Sequence, residues 1–203
     1  VEAGPVYSRA ELGLREEATV LCLATRAIAE KGWFEAVSLT ETLNSQGHAV
    51  DLMLIGEGPA ADMIGKARPA NVKLYGQVED LHSYIGAADI GLLPSSFAGE
   101  SMPLILLEMM AMGKPVVATD VGSISAIVGI GVDAGGYVVP LAKGRVDLTR
   151  FLEAIRALLD VNQRAAVGKR ARERFEEQFT MADMVDKYDA LYREAIADRS
   201  TGE

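Results

Sequence analysis

The stretch ESMPLILLE, residues 100–108, carries a carboxylate at each end, Glu100 and Glu108, with a largely apolar span between them. Pro103 suits the first turn of a helix, where a missing N–H costs nothing. The helix then runs to about Met112, with Gly113 as its terminator and Pro115 barring continuation. The free N–H groups and positive dipole end of such a helix make an anion site. Glu100 stands just before that end, at its rim. Glu108 lies about a turn and a half inside, among Leu104, Ile105, Leu107, Met109 and Met112. A buried carboxylate needs partners. Glu108 could accept from backbone or from Lys114, or it could take a pair of hydroxyls from a ligand. Its position alone leaves both readings open.

Two cations stand in a second stretch, TRAIAEKGW: Arg26 with a planar fork and Lys31 with a point charge. Together they suit a diphosphate. The competing reading is a pair of solvated loop cations. A third stretch, GEGPAA, places Gly56, Gly58 and Ala61 in the dinucleotide pattern G-x-G-x-x-A, with Glu79 further on. That pattern belongs after the first strand of its unit, and here a strand and a helix precede it. A tight strand-to-helix turn is the better account.

The elements that must position these groups follow from hydrophobic patterning. TVLCLAT (19–25), AVDLMLIG (49–56), NVKLYG (71–76), DIGLLP (89–94), PVVAT (115–119) and GYVVP (136–140) read as buried strands. Helical patterns lie between them near 33–46, 60–67, 79–87, 103–113 and 122–128. The alternation predicts an α/β fold with a doubly wound, six-stranded parallel sheet. Ligands on such sheets bind beyond the carboxyl ends of the strands, in the loops named above. After Pro140 three helices are expected, at 147–160, 163–177 and 181–197. Residues 1–18, with Gly4-Pro5, read as a polar lead-in, 19–178 as the ligand-binding domain, and 179–198 as a separate last helix. Arg199 to Glu203 are expected to fray.

Composition narrows the function classes. The chain has 203 residues, 49% of them hydrophobic, enough for one full core. A net charge of −9 argues against a nucleic-acid binder. The single cysteine, Cys22, excludes an intramolecular disulfide and sits in an apolar run, so a buried inert thiol is expected. No apolar run reaches the ~20 residues of a membrane helix. These features suggest a soluble protein of a reducing compartment.

ESMPLILLE has the form E-x7-E and is followed by GKPVVAT. Together with TRAIAEKG, LMLIGEGP, VKLYGQV, AADIGLLPSS and GGYVVP in that order, it resembles the C-terminal domain of retaining GT-B glycosyltransferases. The resemblance covers roughly residues 9–196. It points to the large family that includes bacterial mannosyl-, glucosyl- and N-acetylglucosaminyltransferases and sucrose synthase. It implies a nucleotide-sugar donor, with Arg26 and Lys31 on the diphosphate, Glu100 facing the sugar and Glu108 on the ribose. It also implies phosphate contacts from backbone N–H groups of Ser101, Met102, Leu104 and Ile105, and base contacts at Gln77 and Val78.

Several positions depart from the family pattern. Thr25 replaces the usual glycine before the loop arginine, and the usual Gly-Gly-x-x-Glu reads Gly122, Ser123, Ile124, Ser125, Ala126. Met102 and Met109 read as packing residues. His48 and His82 read as solvated or structural. The basic run Lys169, Arg170, Arg172, Arg174 is interleaved with acids and reads as a solvated face.

The family has two such domains, and its N-terminal, acceptor-binding one has no counterpart in this sequence. The last helix, with its stripe Met184, Tyr188, Leu191, Tyr192 and Ala195, resembles the family helix that crosses back to that domain. The expectation is therefore half of a hexosyltransferase, inactive alone. It needs no metal or cofactor, since no Asp-x-Asp motif is present. The expected location is the cytoplasm or the inner face of the membrane, with a glycan or lipid acceptor and any membrane contact made through the missing domain. The rival readings are a non-catalytic nucleotide-sugar module, an NAD-type dinucleotide domain, and half of a nucleotide-sugar epimerase.

Overall fold

The computed structural model describes residues 7–200. Six parallel strands form one sheet in the order β3-β2-β1-β4-β5-β6. They are β1 (Thr19–Ala24), β2 (Val50–Ile55), β3 (Val72–Leu74), β4 (Ile90–Leu93), β5 (Val116–Thr119) and β6 (Gly136–Val139). Strands β2, β4 and β5 are buried along their whole length. Helices cover both faces of such a sheet, which is why these strands read as continuous apolar runs instead of alternating ones. β1 pairs with β2 from Thr19↔Val50 to Ala24↔Ile55, and with β4 at Leu21↔Ile90. The strand order reverses between β1 and β4, the place on such sheets where ligands find a crevice beyond the strand ends.

The connecting helices are α1 (Trp33–Ser45), α2 (Pro59–Gly65), α3 (Leu81–Ala87), α4 (Leu104–Ala111) and α5 (Ile124–Val128). Then come α6 (Leu148–Leu159), α7 (Val161–Gln178) and α8 (Met181–Ser200). Caps explain where the boundaries shift from the expected ones. Asp80 accepts from Ser83 N at 3.3 Å, so α3 starts at Leu81. Asp160 accepts from Gln163 N at 2.8 Å and starts α7 two residues early. Pro103 is extended (φ −69°, ψ 102°) and caps α4, whereas the expectation put it in the first turn. Gly113 does end that helix, in the left-handed region at φ 67°.

Two regions differ from expectation. Residues 7–18, expected as a lead-in, are packed under the amino ends of the strands, with Leu12 and Leu14 buried. Arg9 bonds Asp89 at 2.7 Å, and Arg15 bonds Asp51 through both its backbone N–H and its guanidinium. Asp51 is 1% exposed, inside an apolar strand, so it requires such a partner. The Gly4-Pro5 pair lies outside the described residues. At the other end, α8 continues through Arg199 and Ser200, and residues 201–203 lie outside the described residues.

α7 also departs from expectation. Its arginines do not form a solvated face. Arg172 donates to the Ala111 carbonyl at the end of α4. Arg174 donates to Ile127 at 2.7 Å and to Ala126 at 2.6 Å, at the end of α5, and Arg170 donates to Ala134 at 3.3 Å. The last carbonyls of a helix lack internal partners and sit at its negative dipole end. α7 therefore staples the carboxyl ends of α4 and α5. Lys169 remains exposed, as expected.

Candidate functional site

The loop from β1 passes through a short 3-10 turn, Ala29–Lys31, before α1 begins at Trp33. The indole of Trp33 donates to the Thr25 hydroxyl at 3.0 Å, closing this loop on itself. Thr25, at the position where the related pattern has glycine, thus has a local structural task. Gly32 sits at φ 81°, and a Cβ there would lie 2.1 Å from the Pro94 carbonyl oxygen. That close approach brings the β1 loop against the β4 loop.

The two loops meet at an ion pair. The Lys31 ammonium bonds the Glu100 carboxylate, and both side chains are nearly buried, 12% and 4% exposed. The Ser95 hydroxyl lies 2.9 Å from the same carboxylate oxygen and 3.1 Å from the Glu30 carbonyl. It also accepts from Phe97 N at 3.1 Å. The Lys31 ammonium stands 4.7 Å from the centre of the Phe97 ring, a cation–π distance. Glu100 is thus buried and paired, not open at the rim. Gly122, in the loop after β5, backs onto it: at φ 57°, its Cβ would fall 1.5 Å from the Glu100 carbonyl oxygen.

A second group of residues surrounds a cavity of about 330 Å³ at the carboxyl ends of β1, β2 and β3. Arg26, Gly56, Glu57, Gln77 and Val78 line it. Arg26 and Gln77 are exposed and Val78 is half-buried. The glycines of GEGPAA serve loop packing here. Ala27 N bonds the Glu57 carbonyl at 2.9 Å, and a Cβ on Gly56 would lie 2.0 Å from the Thr25 carbonyl oxygen. This loop follows β2, away from the point where the strand order reverses, so the dinucleotide pattern is structural.

The α4 residues divide. Ile105 is buried at 7%, while Ser101, Met102 and Leu104 are exposed. Met102, expected to pack, is 53% exposed because it lies in coil ahead of α4; Met109 is fully buried as expected. Glu108 is only half-buried, and no described group bonds its carboxylate. Lys114 does not serve it. Its ammonium donates to Gly86 at 3.0 Å and Ala88 at 2.6 Å, and burial pushes its pKa down. His48 is exposed after α1 and His82 half-buried on α3, neither in the crevice.

Sequence reasoning missed Ser95, Phe97, and the Thr25–Trp33 bond. The only signal was their place in the two loops that leave β1 and β4. Among the described residues no group of three or more His, Cys, Asp and Glu side chains could hold a metal ion. None of the described helices is long and apolar enough to cross a membrane.

Comparison with known proteins agrees with this layout. N-acetyl-alpha-D-glucosaminyl L-malate synthase of Bacillus anthracis is 29% identical over 157 residues, 74% of this chain and 39% of that protein. Sucrose-phosphate synthase of Thermosynechococcus elongatus superposes with a TM-score of 0.72 at 26% identity, over 94% of this chain and 48% of its own. HepE of Anabaena, crystallised with UDP, superposes at 0.75 with 17% identity, over 92% and 51%. At that identity HepE speaks for the fold alone. The chain spans about half, or less, of the length of these proteins. The sequence model of the family "Glycosyl transferases group 1" matches residues 17–161, the sheet with its crossing helices and the whole of both loop groups. By that match this chain belongs to the glycosyl transferases group 1 family.

Proposed function

We propose that the chain is the donor-binding half of a retaining glycosyltransferase. The complete enzyme would move a hexosyl unit from a nucleotide-diphosphate sugar to a glycan or lipid acceptor. One observation carries this reading. Along one carboxyl edge stand a cavity lined by Gln77, Val78 and Arg26, then the junction of the β1 and β4 loops, holding Lys31 and Glu100. That order matches the polarity of base, diphosphate and sugar.

In this reading Gln77 and Val78 meet the base, and Arg26 and Lys31 hold the diphosphate. Glu100 faces the sugar. Backbone N–H groups of Ser101, Met102, Leu104 and Ile105 face phosphate from the start of α4. Glu108, with no partner of its own, accepts the ribose hydroxyls. As the glycosidic bond to the diphosphate breaks, Arg26, Lys31 and the α4 dipole stabilise the charge growing on the leaving oxygen. The acceptor site, and any contact with a membrane, would belong to an N-terminal half that α8 crosses to reach.

Calorimetric titration of the chain with uridine, guanosine and adenosine, and with their mono- and diphosphates, tests the donor site. One diphosphate series should bind more tightly with each added phosphate. Equal or undetectable binding of every compound would sink the reading. A transfer assay on the chain alone tests the half-enzyme part.

A further inference from the structure

If the donor reading holds, Lys31 serves the diphosphate and Glu100 the sugar. In the structure these two groups already serve each other. Neither is on the surface, where water could replace the partner cheaply. Ser95 is fully buried and bonds the same carboxylate oxygen that Lys31 bonds. Its one proton goes to that carboxylate, since the Glu30 carbonyl 3.1 Å away already accepts from Ser96 N at 2.8 Å, and its oxygen is held by Phe97 N at 3.1 Å. Gly122 closes the space behind the Glu100 backbone. Glu100 therefore has little freedom to swing away when an anion arrives at Lys31.

We propose that Glu100 is the resting counter-ion of Lys31, held in place by Ser95. Handing Lys31 from this carboxylate to a ligand's diphosphate makes the site discriminate a nucleotide sugar from the bare nucleoside diphosphate. This rests on the donor-site reading given above. A nucleotide sugar compensates the exchange: its diphosphate takes Lys31, and its sugar hydroxyls donate to the carboxylate left behind. A bare diphosphate takes Lys31 and supplies no donor in return. Glu100 is then a buried carboxylate beside a second anion, with Ser95 as its remaining protein donor. Like charges facing each other in a water-poor site repel strongly. The bare diphosphate is the by-product of transfer, so the same exchange would speed its departure. Ser95 acts here as a positioning residue.

The test is calorimetry on the full 203-residue chain. UDP, GDP and ADP are compared with UDP-glucose, GDP-mannose and ADP-glucose. For whichever base binds, Glu100→Gln should tighten the bare diphosphate about tenfold, while the nucleotide sugar is unchanged or weaker. Ser95→Ala removes the last protein donor from the carboxylate and should weaken the bare diphosphate about threefold more than the nucleotide sugar, whose hydroxyls still donate to it; equal losses for the two ligands would overturn the exchange. The Glu100→Gln gain should persist at about 0.5 M salt, where exposed charge effects are largely screened and buried ones are not.

If the bare diphosphate binds unchanged or weaker in a folded Glu100→Gln protein, the exchange is overturned and the donor site stands. A gain that disappears in salt overturns it too, as a surface-charge effect. No binding of any nucleotide by the wild type overturns the donor site itself. Should Glu100→Gln fail to fold, the Ser95→Ala result decides alone.

Discussion

At the scale of single residues, Glu108 and Glu100 are two carboxylates with opposite circumstances. Glu100 is buried and satisfied, while Glu108 is half-buried with no described partner. Replacing Glu108 with Ala should therefore leave the melting temperature within about 3 °C. It should weaken a nucleoside diphosphate by ~1.5–3 kcal/mol, the scale of a charge-assisted hydrogen bond. Equal calorimetric affinities for mutant and wild type would remove it from the ribose. Arg26→Ala, at an exposed cation on the cavity rim, should lose diphosphate affinity and keep nucleoside affinity. A loss shared equally by both ligands would remove it from the phosphates. Cys22 offers a check on the core. Burial pushes its thiol up to about 12 from an ordinary value of 9.0. The native state thus favours the protonated thiol, and its contribution to stability is complete below about pH 9. As pH rises from about 9 towards 12, it is lost at up to ~1.4 kcal/mol per unit. Iodoacetamide should label the thiol at pH 8 only after unfolding. Rapid labelling of the folded chain would show that the sheet centre opens.

Among the elements, α7 is the one whose task differs most from its appearance in sequence. Gly168 lies in its interior, where exchange for Ala ordinarily stabilises by ~1 kcal/mol. Here a Cβ would fall 2.2 Å from the Gly113 carbonyl oxygen, at the end of α4. Gly168→Ala should therefore destabilise, by about 1–3 kcal/mol, because backbone must shift. Arg174→Ala should cost about 1–2 kcal/mol by freeing two carbonyls at the end of α5. Denaturant unfolding of both variants reads the sign directly, and a stabilised Gly168→Ala would refute the close packing. The strands and crossing helices were legible because burial on both faces leaves unbroken apolar runs such as TVLCLA. The staple was not legible: alternating Arg and Glu on a helix looks the same whether the arginines meet water or the carbonyls of two other helices. Loop identity was legible for Arg26, Lys31 and Glu100, but not the pairing of the last two. They stand 69 positions apart and join only because the sheet reverses order between their strands. Met102 misled because apolar character in sequence says nothing about whether an element lies above it.

Taken as a whole molecule, the chain gathers Arg26, Lys31, Gln77 and Glu100 on one carboxyl edge of the sheet and leaves α8 with little cover. Met184, Tyr188, Leu191 and Tyr192 are each at least 45% exposed. Beside them a groove of about 400 Å³ runs between α8 and the start of α4, lined by Met102, Leu104, Leu107 and Tyr188. Uncovered apolar surface of this kind promotes association. Sedimentation should show mass increasing with concentration, and Tyr188→Glu with Leu191→Glu should suppress it. A transfer assay with several nucleotide sugars and pooled acceptors should show binding without turnover, since no described group presents an acceptor to Glu100. Turnover by the chain alone would refute the half-enzyme reading.

The packed segment at residues 7–18 has a consequence for anyone cutting the gene. The first strand begins at Thr19, and a boundary drawn there looks natural. It would strip Arg9 and Arg15 from two carboxylates that remain, Asp89 beneath β4 and the fully enclosed Asp51 in β2. It would also remove the Leu12 carbonyl that accepts from the Tyr75 hydroxyl at 2.8 Å. The working limit of this unit is therefore set by counter-ions, as far as ten residues ahead of its first strand.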